Sequence, residues 1–174
     1  VNFRLIILCA IYGFQYMLQA AQFISMGSES SLWLIFLLSI ILAIPVGYIG
    51  FNIGSFLIFL LGKLIKGKGS FKQVRAATYW SSVPMIVTVA IWIVLMVVHG
   101  SSLFVAGYER GLTGTGITIN IVAAIVQVVI GVWGLVIFLH ALGEVQGVSA
   151  WMALLNTFLA GLAVFILLFL ISWG

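Results

Sequence analysis

Residues 62–75 read GKLIKGKGSFKQVR, and this basic segment holds five of the seven cationic residues of the chain, Lys63, Lys66, Lys68, Lys72 and Arg75. The sequence on both sides of it is apolar over lengths that suit a lipid bilayer. We therefore expect one face of a membrane to hold the basic segment, with the other segments crossing the bilayer. A cluster of this kind beside a spanning helix is more typical of contact with anionic lipid headgroups than with nucleic acid.

The composition excludes a water-soluble globular domain. Of the 174 residues, 64% are hydrophobic and 6% are charged, whereas charged residues make up about a quarter of a typical soluble protein. The lone cysteine, Cys9, lies in an apolar run, so the sequence offers neither a disulfide framework nor a thiolate metal site. The first apolar run is not followed by a small-residue cleavage motif, which favours a retained helix over a signal peptide.

The fold class that follows is an all-α integral membrane protein. A helix crosses a hydrocarbon core of about 30 Å with roughly 20 apolar residues. By this measure residues 1–174 form one domain with five spans, at 5–26, 32–65, 70–98, 117–139 and 150–171. The second span is too long for one upright helix, so we predict a tilted helix with a kink near Pro45. Ser70 and Gln73 have the spacing of a capping box at the start of the third span.

Charge at the ends of the spans predicts the orientation. The side with the basic segment also receives Arg4 and Glu144, which brings its cations to six of the seven. The other side receives Arg110, Glu29 and Glu109. This is a strong positive-inside pattern, so we expect the N-terminus and the basic segment in the cytoplasm and the C-terminus outside.

Small and polar residues recur at helical spacing within the spans. Amides that face lipid are costly, so we expect these positions to pack against other helices. Gly50 and Gly54 have a small-xxx-small spacing with Gly47 on the same side, and matching stripes on the last two spans favour contact between those helices. The predicted packing residues are Gln15, Gln19, Gln22, Gly50, Gly54, Asn120, Gln127, Gly131, Asn156 and Ala160.

No motif in the sequence predicts catalysis, a metal or a cofactor. Acidic and basic residues lie only near the ends of the predicted spans and not in the stretches expected within the hydrocarbon, which argues against a proton-coupled carrier. GKLIKGKG at 62–69 approaches the spacing of a phosphate-binding loop, but Gly69 stands where Ser or Thr should hold magnesium. His99 and His140 fall near opposite membrane faces, too far apart to share a metal ion.

Two stretches carry motif-like similarity to a known family. KGKGSFKQVRAATYWSSVP, at 66–84, combines a glycine-rich basic loop with Tyr79 and Pro84. VWGLVIFLHALGEVQGVSAWMAL, at 132–154, has Gly147, Ser149 and Ala153 at matching positions. Together they resemble the third-helix start and the last turn of the Yip family, the Ypt/Rab-GTPase-interacting proteins. The resemblance implies five spans with a cytoplasmic N-terminus.

The sequence also departs from that family. Its eukaryotic members carry a long cytoplasmic N-terminal region with a Tyr-Gly-Pro motif that is not found here, and Ala141 stands where a glycine is usual. The resemblance therefore favours the prokaryotic branch and the prokaryotic cytoplasmic membrane. A eukaryotic chain of this family is expected in the ER or Golgi membrane.

Two functions of different classes remain open. The first is a non-enzymatic adaptor or scaffold in membrane organisation, transport or trafficking, which binds anionic lipid headgroups and packs against a membrane-protein partner or its own copies. The second is a conduit for small solutes or lipid. It would be lined by Gln15, Gln19, Gln22, Asn120, Gln127 and Asn156. Burial of these amides in helix contacts favours the adaptor, whereas a shared open cavity favours the conduit.

Overall fold

The computed structural model describes the backbone of residues 3–173 and the side chains of these residues except 168, 171 and 172. The described chain is helical and contains no β-strand. Its α-helices are α1 (Phe3–Phe23), α2 (Leu32–Leu64), α3 (Phe71–Ser81), α4 (Met85–His99), α5 (Thr115–Gln146) and α6 (Ala150–Trp173). Short 3-10 helices at Met26–Ser28, Gly100–Phe104 and Tyr108–Gly111 occupy the connections.

Five segments within residues 3–173 are long and apolar enough to cross a membrane, which confirms the predicted fold class. They are Phe3–Phe23, Leu32–Leu64, Met85–Phe104, Thr115–Gln146 and Ala150–Leu167. Helices suit this environment because all of their backbone hydrogen bonds form within the segment itself. The chain is therefore an integral membrane protein.

The third predicted span differs from the structure. Where the sequence predicts one helix over 70–98, the chain forms α3 and α4 with a turn at residues 82–84 between them. Pro84 explains the break, because it has no N–H and its ring disfavours helical backbone at the preceding residue. It stands at the N-cap of α4, where the missing donor costs nothing. The spanning part of this segment is thus α4 with the 3-10 turn that follows it.

The two longest helices exceed the thickness of a hydrocarbon core. α2 has 33 residues and continues on both sides of Pro45. α5 has 32 residues and runs on to Gln146, past the predicted end at 139. At about 1.5 Å per residue, each helix is between 45 and 50 Å long if straight. The predicted kink at Pro45 remains a prediction.

The chain divides into two compact units, which are described separately. The first comprises Val1–Ile49 and Ser82–Gly134, and the second comprises Gly50–Ser81 and Leu135–Gly174. In the first unit, the apolar core is formed by α1, α2, α4 and the following 3-10 turn. Its most deeply buried members are Leu18, Ile35, Leu103 and Phe104.

In the first unit, α1 and α2 approach closely at two glycines. A Cβ added at Gly13 would overlap the carbonyl oxygen of Ala43, and one added at Gly47 would overlap the carbonyl oxygen of Cys9. By contrast, a Cβ added at the predicted packing residue Gly54 would meet no atom within 4 Å, and the same holds for Gly131 in α5. The close contact therefore uses Gly13, which the sequence analysis missed.

The core of the second unit contains the small residues of α6. Ala153 and Ala160 are buried together with Ile58 of α2, Val74 of α3 and Leu142 of α5. The small-residue stripe on α6 thus packs where the second half of α2 and the end of α5 meet. In the first unit, the corresponding stripe of α5 has other surroundings, since Gly131 is exposed.

A pair of glycine substitutions tests the close approach of α1 and α2. We expect Gly47→Ala to lower stability by about 1–3 kcal/mol, because the added methyl group overpacks a backbone contact. Gly54→Ala adds the same methyl group in the same helix without a neighbour, and we expect it to leave the melting temperature in detergent unchanged or slightly higher. Equal melting temperatures for both variants would contradict this assignment.

Candidate functional site

The basic segment begins where α2 ends in a Schellman motif. The N–H of Gly67 donates to the carbonyl oxygen of Gly62 at 2.8 Å, and the N–H of Lys66 donates to that of Lys63 at 3.1 Å. Lys66 has a φ of 61°, in the left-handed region where this motif usually places glycine. The basic segment therefore leaves α2 in a defined direction, at the cost of strain at Lys66.

Lys63 stabilises this conformation from within. Its Nζ donates to the carbonyl oxygens of Gly67 and Gly69, at 3.4 and 3.3 Å. The same ammonium lies 5.0 Å from the centre of the Phe59 ring, within range of a cation–π interaction. Lys63 thus has a structural role in the turn.

A capping box sets the start of α3, as the sequence predicts. The backbone N–H of Ser70 donates to Oε1 of Gln73 at 2.9 Å, and the N–H of Gln73 donates to Oγ of Ser70 at 3.4 Å. The Ser70 hydroxyl also donates to the same Gln73 oxygen at 2.8 Å. These contacts satisfy donors that the first turn of a helix would otherwise leave unpaired.

The end of α5 packs against the glycines of the basic segment. The N–H of Lys68 donates to the carbonyl oxygen of Gln146 at 3.0 Å. A Cβ added at Gly69 would lie 2.8 Å from the carbonyl oxygen of Val145. The glycines here allow backbone to approach backbone, and the N–H groups of Gly67 and Lys68 are already used within the protein. They are not available to cradle a phosphate group, which weighs against a nucleotide site.

Two buried amides connect the three helices around this segment. Nδ2 of Asn156 donates to the carbonyl oxygen of Ile58 at 3.0 Å and to Oε1 of Gln146 at 3.1 Å. Asn156 is 0% exposed and Gln146 is 2% exposed. A Cβ added at Gly62 would overlap Nε2 of Gln146, so glycine leaves room for the pair. Gln146 is not among the predicted packing residues, because the sequence predicts a turn at this position whereas the residue lies on α5.

The positions that resemble the Yip family have structural roles. Gly147 ends α5 with a φ of 66°, and its N–H donates to the carbonyl oxygen of Glu144 at 3.2 Å. Oγ of Ser149 accepts a hydrogen bond from the N–H of Met152 at the start of α6, and Ala153 is fully buried. These positions therefore form the turn that presents α6 to the basic segment.

The two positions of the 66–84 stretch that resemble the Yip family, Tyr79 and Pro84, also have structural roles. Tyr79 is buried, and its ring centre lies 4.4 Å from that of Phe51. Pro84 is buried and begins α4. Both positions therefore serve the packing and termination of helices.

The five basic residues separate into two groups. Nη1 of Arg75 donates to Oδ1 of Asn52 at 3.1 Å, and the guanidinium lies 5.5 Å from the centre of the Phe71 ring. Arg75 is accordingly half-buried, and Lys63 is engaged in the turn. The three remaining lysines, Lys66, Lys68 and Lys72, have exposed side chains. These three form the exposed lysine cluster of the second unit.

The six amides of the predicted conduit have different surroundings. In the first unit, Gln15 is buried, its Oε1 accepts no hydrogen bond from the described residues, and Gln19 is exposed. Three others line a cavity of about 410 Å³ in the first unit, namely Gln22, Asn120 and Gln127. Asn156 lies in the core of the second unit. The six therefore do not form one continuous polar lining within either unit.

A family model described as the Yip1 domain matches residues 2–172. The chain belongs to the Yip1 domain family. This match covers nearly the whole sequence and confirms the resemblance seen in the two stretches. No curated protein and no solved structure matches the chain.

Two lysine substitutions test the strained end of α2. We expect Lys66→Gly to raise stability by about 1 kcal/mol, because glycine adopts the left-handed conformation without a Cβ penalty. Lys68→Gly removes the same charge where φ is not positive, and we expect it to lower stability slightly. Thermal unfolding in detergent measures both, and a lower melting temperature for Lys66→Gly would refute the role of this residue in the turn.

Proposed function

We propose that this Yip1-domain protein is a non-enzymatic adaptor or scaffold in membrane organisation, transport or trafficking. In this proposal the exposed lysine cluster binds anionic lipid headgroups at the cytoplasmic face, and the helices pack against a partner membrane protein or a second copy. The observation that carries the proposal is the fixed conformation of the basic segment. Hydrogen bonds hold its backbone at both ends while three lysine side chains remain exposed.

This arrangement favours binding in two ways. An ordered backbone has already lost its conformational entropy, so binding to a membrane surface costs less than it would for a flexible loop. Each basic residue near an anionic surface contributes about 1 kcal/mol, an attraction that salt weakens. Lys63 and Arg75 contribute less in this proposal because their charged groups already have partners within the protein.

Contacts between turns support the proposed grouping of charges by membrane face. In the second unit, Lys68 bonds to Gln146, close to Glu144 in the chain. In the first unit, the N–H of Ala106 donates to Oγ of Ser25 at 3.2 Å. This bond joins the connection between α1 and α2, which contains Glu29, to the loop between α4 and α5, which contains Glu109. These are the two groupings on which the positive-inside orientation rests.

The outward glycines support a role in helix association. Gly54 on α2 and Gly131 on α5 have open space beyond their backbone. Small residues at such positions allow a neighbouring membrane helix to approach the backbone closely. A partner helix or a second copy of the chain is the occupant we propose for these surfaces.

Cysteine labelling tests the orientation. In a Cys9→Ala background, we expect Lys68→Cys to be protected from an impermeant thiol reagent added outside sealed cells. Glu29→Cys, also exposed, should react. After permeabilisation both should react, which controls for accessibility. Reaction of Lys68→Cys in sealed cells at the rate of Glu29→Cys would overturn the orientation.

Lipid retention tests the exposed lysine cluster. We expect the triple variant Lys66→Gln, Lys68→Gln, Lys72→Gln to lose roughly 3 kcal/mol of attraction to anionic lipid, at about 1 kcal/mol per residue. The measurement is the number of phosphatidylglycerol molecules that native mass spectrometry finds on the protein after exchange in mixed anionic and zwitterionic micelles, across a salt series.

Arg110→Gln is the matched control, because it removes an exposed charge from the loop of the first unit. We expect it to leave lipid retention unchanged. Arg75→Gln breaks the hydrogen bond to Asn52, so we expect it to lower the melting temperature. Its effect on lipid retention should be small. Salt-independent retention that is the same in the triple variant and in the wild type would leave the basic segment as a topological signal only.

A further inference from the structure

The cavity of the first unit has a shape suited to an amphipathic ligand. Its volume of about 410 Å³ lies within the range of roughly 300–1,000 Å³ that small-molecule sites occupy. Side chains of α1, α4, α5 and the loop between α4 and α5 line it. Along α5 the lining extends from Ile117 to Gln127, a distance of about 15 Å along the helix axis. The cavity thus reaches from a loop into a membrane-spanning segment.

The deeper part of this lining contains hydrogen-bond donors without acceptors. Trp92 is 5% exposed, and its Nε1–H has no hydrogen-bond partner within the part of the chain that the structure describes. The half-buried amide of Gln127 also has no hydrogen-bond partner among the described residues. A buried donor without an acceptor is unfavourable, and such groups often indicate a missing ligand or water molecule. Apolar side chains, among them Leu95 and Ile121, line the same cavity.

The outer part of the lining has a different chemistry. Tyr108 and Asn120 bond to each other, with Nδ2 of Asn120 donating to the tyrosine oxygen at 3.1 Å. Glu109, an exposed carboxylate, lies beside them. Burial raises the pKa of Tyr108, an effect that the bond with Asn120 opposes and the Glu109 charge reinforces. The phenol therefore remains neutral at physiological pH, and no lysine or arginine is among the lining residues.

These features together specify a neutral ligand. A phosphate group would meet the Glu109 carboxylate without any cation in the lining to offset the repulsion. A hydroxyl group can instead donate to that carboxylate, and carbonyl oxygens placed deeper can accept from the N–H groups of Trp92 and Gln127. The apolar side chains between these groups suit hydrocarbon.

We propose that this cavity binds a neutral glycerolipid of the diacylglycerol class. The glycerol hydroxyl faces Glu109, and the ester carbonyls lie toward Trp92 and Gln127, with an acyl chain against the apolar lining. This inference goes beyond the proposed function. It rests on the first unit alone and does not depend on the exposed lysine cluster of the second.

The test uses a diacylglycerol with a photoactivatable diazirine in one acyl chain. The full chain is reconstituted in phosphatidylcholine nanodiscs with this probe, irradiated and mapped by peptide mass spectrometry. A phosphatidic acid with the same labelled chain is the parallel probe, so the two differ only in the headgroup. We expect diacylglycerol to label peptides that contain Trp92, Leu103 or residues 117–127 and phosphatidic acid to label them several-fold less, in keeping with the absent cation.

Matched substitutions locate the binding. Ala124→Phe places a bulky ring at a lining position and should reduce diacylglycerol labelling of these peptides to background. Ala90→Phe adds the same ring at an exposed position of α4 that does not line the cavity, and labelling should be unchanged. Glu109→Gln should bring the labelling by the two probes closer together.

Gln127→Leu keeps the side-chain size similar and removes the polar group. We expect it to reduce labelling about fivefold, as the loss of one hydrogen bond does. This variant decides the test if Ala124→Phe does not give a monodisperse protein on gel filtration. Wild-type labelling in Ala124→Phe or Gln127→Leu, or equal labelling by phosphatidic acid and diacylglycerol in the wild type, would overturn the proposal.

Discussion

The hydrogen bonds of Asn156 are the interaction on which the second unit depends. A polar side chain within a membrane helix is tolerated only where protein groups satisfy it, because the hydrocarbon offers no alternative partner. The Nδ2 of Asn156 meets this requirement by donating to the backbone of α2 at Ile58 and to Gln146 at the end of α5, while its Oδ1 accepts no hydrogen bond from the described residues. Gln146 in turn accepts the backbone bond of Lys68. Through Asn156 and Gln146, hydrogen bonds thereby link α6 and α2 to the backbone of the basic segment at Lys68.

The first unit is held together by a different kind of contact. Its core closes where Gly13 and Gly47 allow α1 and α2 into backbone contact, and Gln22 donates to the carbonyl oxygen of Leu103 at 3.0 Å. Trp92, however, buries an N–H without an acceptor beside a cavity. The second unit uses its buried amides to join helices, whereas the first leaves the Trp92 N–H unpaired where it lines the cavity.

The basic segment shows why a count of charges is an incomplete description of a surface. Lys63 and Arg75 bond within the protein and contact aromatic rings, and their long side chains support the turn and α3. Lys66, Lys68 and Lys72 are left exposed by the same turn. The basic segment of this Yip1-domain protein thus has a backbone held by hydrogen bonds, with three lysine side chains exposed.

The sequence by itself determined the membrane-spanning all-α fold, the family and the capping box at the start of α3. Apolar length is a property of composition, and the capping box of Ser70 and Gln73 acts within one helical turn, so neither needs tertiary contacts.

Only the tertiary structure decided which helix faces pack against each other. It placed Arg75 on Asn52, 23 residues away, and Asn156 on Ile58, 98 residues away, and it revealed Gly13, Gln146 and the Trp92 cavity. Lipid is as apolar as a helix interface, so hydrophobic periodicity carries little information on packing in a membrane. The relative placement of helices then depends on close backbone contacts and a few polar bonds between distant residues, which no local pattern encodes.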